Sequence, residues 1–459
     1  MRALFGVSLA TALWLVACGA STGSSDAGSA SSAPVVEALL VSAAAEPSSI
    51  PEPPPSASAS ASAPQAPKYA KAIEASLKEV TRLRELPAKE PIKSFSLARD
   101  ALLEKMKKKM SEEIPPGIIE LQGESLRSFG LVPVDYELEE GFLKLISARV
   151  AGFYDPDEKA MYLIDDLTKA QEDETLPHEL VHALQDQAFS IGWMLDYKPG
   201  KSDYTAAIQH LVEGDAMLVG MMVTYGDGAL DVDTESLRTA FFLSTAMSPV
   251  GAATPPIIVS SLVSPYTDGF AFVKGLRAEG GWAAVDAAFK KLPETTEQIL
   301  HLDKYKSREP AKPVPAIPIG ALGPGYAVGL EEANGELALR MMLEQWATLK
   351  VAAKAAQGWG GDRYVVVKKK DTEPSYASAL FTKMDSATDA AEVAKILKAK
   401  LGPKCDARPD LGPLAWTQRG EDIVIVAGPY TKGGTVKSAG TCKLAEAWLK
   451  EILAAPVTK

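Results

Sequence analysis

The spacing of apolar and polar positions divides the chain into stretches of different character. Residues 69–130 are polar with apolar residues at helical intervals (Leu97, Leu102, Met106, Met110), and Pro115-Pro116-Gly117 interrupts them, so helices are expected on both sides. Two strand-like runs follow, 142–154 and 160–164, joined by Asp155-Pro156-Asp157-Glu158, whose turn chemistry predicts a β-hairpin. A helix is expected through 176–188 and a second from about 204 to 225. Residues 236–300 read as mostly helical, punctuated by Pro249, Pro255-Pro256, Pro265 and Pro293, and a Pro/Gly-rich stretch over 310–325 closes them off. In the tail, 364–367, 377–381 and 423–427 read as strands, and 387–401 and 444–453 as amphipathic helices. There is no internal repeat of the kind that builds a solenoid. The expected class is α+β. A helical region over 68–130 precedes a mainly helical domain over 131–325, with a hairpin or small sheet before the 176–188 helix, and a small separate α/β domain covers 326–459.

The first residues follow a different logic. Arg2 precedes an apolar run from Ala3 to Ala17 that is too short to span a membrane and ends in small residues, the outline of a signal peptide over 1–17. Leu15-Val16-Ala17-Cys18 resembles a bacterial lipobox, which implies that Cys18 is acylated and becomes a lipid anchor. Residues 18–67 are almost entirely Ser, Ala, Gly and Pro. They offer too little apolar area to offset the entropy of ordering, so they are expected to be a disordered tether. The expected location is therefore the bacterial cell envelope, membrane-anchored and facing the periplasm or exterior. In that oxidising setting Cys405 and Cys442 are expected to form a disulfide. No stretch offers the roughly 18–20 uninterrupted apolar residues of a membrane-spanning helix.

Composition mainly excludes. The 459 residues carry 48 Lys+Arg against 59 Asp+Glu, a formal charge of −11, which removes nucleic acid as the main partner. The lysine runs at 105–109 and 368–370 read as solvated faces. Three cysteines exclude a cysteine-rich scaffold or a Cys-only zinc site. With only four histidines in the chain, their positions carry information.

Two of the four fall in Leu176-Pro177-His178-Glu179-Leu180-Val181-His182-Ala183-Leu184-Gln185, an H-E-x-x-H sequence. Four residues apart on a helix, His178 and His182 share one face and can hold one Zn²⁺ per chain. Glu179, one step round, is placed to take a proton from the attacking water. Leu176, Leu180, Leu184 and Ala188 form an apolar stripe away from the His178–His182–Gln185 face, and Pro177 argues for a helix that starts near Thr175. A catalytic zinc needs a third protein ligand. Glu213, in the apolar run Ala206–Leu218, is the candidate, because a carboxylate buried there must be paired or metal-bound. Gly214 beside it would allow that helix to approach the zinc helix closely. His210, three residues earlier, is open as a partner of Glu213, an alternative ligand or a hydrogen-bonded core residue. Asp215 is a candidate for supporting a ligating histidine.

The chain resembles the gluzincin branch of HExxH zinc metallopeptidases, and more narrowly a lineage of prokaryotic envelope proteins. GFYDP (152–156), HELVHALQDQ (178–187), VEGDA (212–216), PYxxG (265–269) and EQILH (297–301) carry the resemblance, and GWGGDRY (358–364) extends it. It implies a zincin-like catalytic domain, peptidase activity on a peptide or protein substrate, and a substrate aligned along the edge of the hairpin strand. For the oxyanion of the tetrahedral intermediate, Tyr266 and His301 are the candidate donors beside zinc. The Trp359–Arg363 segment is expected to brace the domain junction. The rival reading is a non-catalytic zinc-binding envelope lipoprotein, acting as a binding or assembly module through its C-terminal domain. Cleavage preference and oligomeric state are not written in the sequence.

Overall fold

The computed structural model describes residues 68–402 and 405–457. The leader expected over 1–17, the attachment cysteine Cys18 and the tether expected over 18–67 lie outside the described residues. Helices outweigh strands and the strands form two separate sheets, so the chain is of the mixed α+β class.

Helix α1 (Ala70–Arg84) leads to strand β1 (Lys93–Leu97), then to α2 (Arg99–Glu113), α3 (Ile118–Ser128) and α4 (Leu138–Arg149). Strand β1 corrects the helical expectation for this region. Leu97 ends that strand, whereas Leu102, Met106 and Met110 are the buried face of α2. Strands β2 (Gly152–Asp155) and β3 (Ala160–Ile164) form the expected antiparallel hairpin, and β1 adds to β3 in parallel as the third strand. The hairpin's first strand is shorter than expected. Residues 142–149 instead complete α4, whose Leu138, Phe142, Leu145 and Ile146 are buried at helical intervals.

Helix α5 (Lys169–Phe189) carries the HExxH sequence and starts several residues before Thr175. The Thr168 hydroxyl accepts the Gln171 N–H while the Gln171 side chain accepts the Thr168 N–H, a reciprocal cap. Pro177 therefore lies in the third turn, where it removes one helical hydrogen bond. The helix continues because Thr175 to Gln185 are buried without interruption, so packing on every side outweighs local preference. After a single turn at Gly192–Leu195 come α6 (Ser202–Tyr225), α7 (Thr234–Ala246) and α8 (Pro256–Lys290), then the short α9 (Thr296–Leu300) and α10 (Leu302–Ser307). Gly214 does permit a close approach, but to α8 and not to α5. A Cβ on Gly214 would stand 2.1 Å from the Gly269 carbonyl, and one on Gly269 2.1 Å from the His210 carbonyl.

The tail builds β4 (Tyr326–Glu332), α11 (Gly335–Glu344), α12 (Leu349–Ala356), β5 (Trp359–Lys369), β6 (Ser375–Met384), α13 (Ala387–Leu401), β7 (Asp406–Arg408), β8 (Gly412–Arg419), β9 (Asp422–Lys432), β10 (Val436–Ser438) and α14 (Cys442–Ala454). Its seven strands run β4-β5-β6-β9-β8-β7, with β10 also on β9, all antiparallel. Both faces are buried with a period of two. Val366, Leu380 and Ile425 join the core made by α2–α4, while Val365, Phe381 and Val424 pack with Trp448 of α14. Polar contacts reinforce the first face: Tyr430 donates to Glu124, Lys432 lies 2.9 Å from Glu124, and Arg408 donates to the Ser128 carbonyl at 2.7 Å. One apolar cluster thus runs from the N-terminal helices into the tail sheet. Cys405 and Cys442 are joined in a disulfide, their Cα atoms 5.7 Å apart. Asp362 accepts the Asn334 and Gly335 N–H groups and the Trp359 indole, all within the tail, and the Gly360 carbonyl accepts the Lys312 N–H at 2.6 Å. Among the described residues no helix is long and apolar enough to cross a membrane.

Candidate metal centre

Helices α5 and α6 bring the two HExxH histidines against Glu213. Nε2 of His178 lies 3.0 Å from Nε2 of His182 and 3.1 Å from Oε2 of Glu213, which is 3.6 Å from Nε2 of His182. All three residues are at most 4% exposed. Zinc–ligand bonds of about 2.0–2.1 Å at tetrahedral angles separate ligand atoms by roughly 3.3 Å. The three atoms therefore stand at the mutual distances of a zinc ligand set. Two imidazoles and one carboxylate are also the donor types zinc prefers.

The network behind His182 fixes which of its nitrogens faces Glu213 and His178. The Gln185 amide nitrogen donates to the Val212 carbonyl at 3.0 Å and to Asp215 Oδ2 at 2.9 Å. Both partners are acceptors, so the amide has one orientation and its oxygen faces the imidazole. The His182 Nδ1–H donates to that oxygen at 2.9 Å, and Nε2 keeps its lone pair towards Glu213 and His178. Asp215 in turn accepts from Arg84 at 2.7 Å, and Arg84 also donates to Asp286 at 2.7 Å. Asp215 reaches His182 through Gln185 and not directly. Arg84 gave no signal in the sequence: it closes an amphipathic helix, and nothing local tells a buried arginine from an exposed one. Gln185 did carry one, three residues after a candidate ligand on the same face.

Glu179 is 1% exposed. Its Oε1 has no hydrogen-bond partner among the described residues, and the Tyr154 backbone amide nearby favours its ionised form. Burial raises its pKa, against the pull of the two imidazoles. For Glu213 the balance is reversed: burial works to raise it, but the imidazoles outweigh burial and hold it at about 2. A carboxylate kept ionised therefore stands beside one whose proton affinity is enhanced. Strand β2, the outer strand of its sheet, is wholly buried.

The other candidates separate. The Tyr266 ring centroid lies 5.8 Å from that of His178, so Tyr266 belongs to this centre. His210 is 1% exposed, and its Nδ1–H donates to the Ala206 carbonyl at 2.7 Å. Its Nε2 has no partner among the described residues, and burial lowers its pKa, leaving a neutral core histidine. His301 is not brought to the triad. Its Nε2–H donates to Glu336 at 2.9 Å, and its charged neighbours are Glu336, Lys304 and Glu297.

Residues 328–436 match the model of a domain of unknown function (DUF8575), a span that takes in most of the tail sheet and none of the triad. No curated protein and no solved structure matches the chain.

Proposed function

We propose that this protein is a zinc-dependent peptidase of the cell envelope, with His178, His182 and Glu213 as metal ligands and Glu179 as general base. The observation that carries the reading is the meeting of three candidate ligand atoms 3.0–3.6 Å apart next to a buried carboxylate oxygen that has no hydrogen-bond partner among the described residues. When bound, zinc supplies Lewis acidity towards the scissile carbonyl and acidifies water. The rest is the work of the chain. The helix holds the Glu179 carboxylate in place, and its Oε1 takes the proton of the attacking water and delivers it to the leaving amine. Tyr266 is the donor for the developing oxyanion. The gluzincin resemblance and the lipobox supply the substrate class and the location.

The test is paired. The native protein is expected to carry one zinc per chain. Glu179→Gln is expected to keep that zinc and lose peptide hydrolysis by about 10²–10⁴-fold. A zinc-free native protein, or a Glu179→Gln variant with undiminished turnover, sinks the proposal. The depth of the triad and of Glu179, all at most 4% exposed, favours a second reading in which the metal is structural and the chain is a binding module. Under that reading chelation lowers the melting temperature and no peptide library is cleaved.

A further inference from the structure

Helix α1 lies outside the HExxH and VEGDA helices, yet its last residue is one of the most deeply buried charges in the molecule. Arg84 is 0% exposed, and so is Asp215, to which it donates. The guanidinium also lies 4.5 Å over the Trp282 ring and holds Asp286. From Asp215 the path runs through the Gln185 amide to Nδ1 of His182, each step between 2.7 and 2.9 Å.

We propose that α1 is a working part of the metal centre. Arg84, acting through Asp215 and Gln185, holds the His182 ring in the tautomer and orientation that ligate the metal, so that metal binding and docking of α1 favour each other. The inference rests on the zinc reading above. Its physical basis is the direction of each bond. Asp215 is the acceptor that, with the Val212 carbonyl, makes the Gln185 amide present its oxygen to the histidine. Asp215 is fully buried and keeps that place because a guanidinium meets it there. Without Arg84 the carboxylate has lost its counter-charge, the amide has lost its second fixed acceptor, and Nε2 is no longer obliged to point its lone pair at the ligand cluster. Coupling of this kind is reciprocal: whatever α1 contributes to metal affinity, bound metal returns to the docking of α1. Arg84 is thus a positioning residue and touches no reacting atom.

The experiment uses the full chain and two readouts that do not depend on turnover: zinc affinity by competition with a fluorescent chelator, and hydrogen exchange of the α1 amides with and without zinc. Arg84→Met is expected to weaken zinc binding by about 10–100-fold, the usual effect of removing a partner behind a metal ligand. Arg84→Lys, which keeps the charge but cannot bridge Asp215 and Asp286, is expected to lose less. Gln185→Met cuts the path while leaving the Arg84–Asp215 pair intact. It is expected to weaken zinc and to abolish the slowing of α1 exchange that zinc produces in the native protein. If Arg84→Met does not fold, the lysine and Gln185 variants carry the test. A merely structural arginine would lower stability with and without zinc alike and leave the affinity unchanged. Equal zinc affinity in all the variants, or α1 exchange indifferent to zinc, overturns the inference and leaves the zinc reading standing. A native protein that binds no zinc overturns both.

Discussion

Among the described residues two places gather three metal-type ligands within reach of one another, and they neutralise their charge differently. In the α5–α6 layer His178, His182 and Glu213 converge. Where α9, the residue after α10's turn and the end of β6 meet, Glu297, Glu309 and Asp385 converge. The second group already holds a cation: Lys304 Nζ lies 2.5 Å from Glu297, 3.1 Å from Asp385 and 3.2 Å from Glu309. The first contains one carboxylate and two imidazoles, whose lone pairs supply no positive charge. Convergence of acids is therefore weak evidence for a metal, because a lysine stem delivers the same charge from within the chain. Ligand type, burial and a base such as Glu179 alongside are what set the triad apart.

The comparison can be broken most directly at the triad. Glu213→Ala is expected to remove zinc from the protein and peptide hydrolysis with it, whereas Glu297→Gln should leave one zinc per chain. Elemental analysis of both purified variants decides the matter, and equal zinc in the two would erase the distinction.

At the second group the expected effect is one of stability. Lys304→Met leaves Glu297, whose side chain is 1% exposed, without its ammonium. Burial already raises that carboxyl to about 7 even with Lys304 beside it. Urea unfolding should show a loss of about 2 kcal/mol, below the range for a fully buried pair because Glu309 and Asp385 are partly solvated. Millimolar calcium should restore part of the loss in the variant and do nothing for the native protein. An unchanged urea midpoint in Lys304→Met would show that the lysine is not what holds the acids together.

A third buried acid has neither metal nor lysine. Asp203 accepts the Thr296 N–H at 2.9 Å and the Thr296 hydroxyl at 2.6 Å, and burial raises its pKa to about 7. The unfolded value is near 3.9, so the folded state holds the proton more tightly. Stability from this group is present below about pH 4 and falls as pH rises through about 7. Asp362, raised by burial to about 6, acts in the same direction. Asp203→Asn removes the titration. The variant should gain on the native protein between pH 5 and pH 8, and a constant difference in urea midpoint across that range would refute the shift.

These three acids also mark what the sequence could convey. H-E-x-x-H offers two candidate ligands and a candidate base by spacing alone, because helical period puts four-apart residues together. Glu213 was legible because a carboxylate in an unbroken apolar run needs a partner. The partners of the other buried acids were not legible, since Arg84, Lys304 and Thr296 reach Asp215, Glu297 and Asp203 across 131, 7 and 93 positions. Lys304 is close in sequence, but nothing local says that its ammonium fills an acidic group. The same limit explains the fold. The tail strands were found from short apolar runs such as 364–367 and 423–427, although short of their full length. Residues 142–149 were assigned to a strand because LKLI satisfies both periods over four residues, and only burial of Phe142 and Leu145 together decides for the helix. Strand β1 was missed because five residues with mixed burial give no period to count.

The smallest effect is expected where spacing suggested a role that packing denies. Tyr266 and His301 stood equal in the sequence as oxyanion donors, but only Tyr266 adjoins the triad. Tyr266→Phe should lower kcat by about 10²-fold, as loss of one oxyanion donor does. His301→Gln can retain a hydrogen bond to Glu336, and the rest of the His301 environment belongs to the lysine-filled group. Its effect on kcat/KM should stay within about twofold, the equivalent of roughly 0.5 kcal/mol. Burial works against the charged form of His301, but the Glu336 bond raises its pKa, so the replacement trades an ion pair for a neutral bond. The cost should therefore appear in the urea midpoint and not in turnover. A large fall in kcat with an unchanged midpoint would move His301 to the triad and merge the two groups into one site.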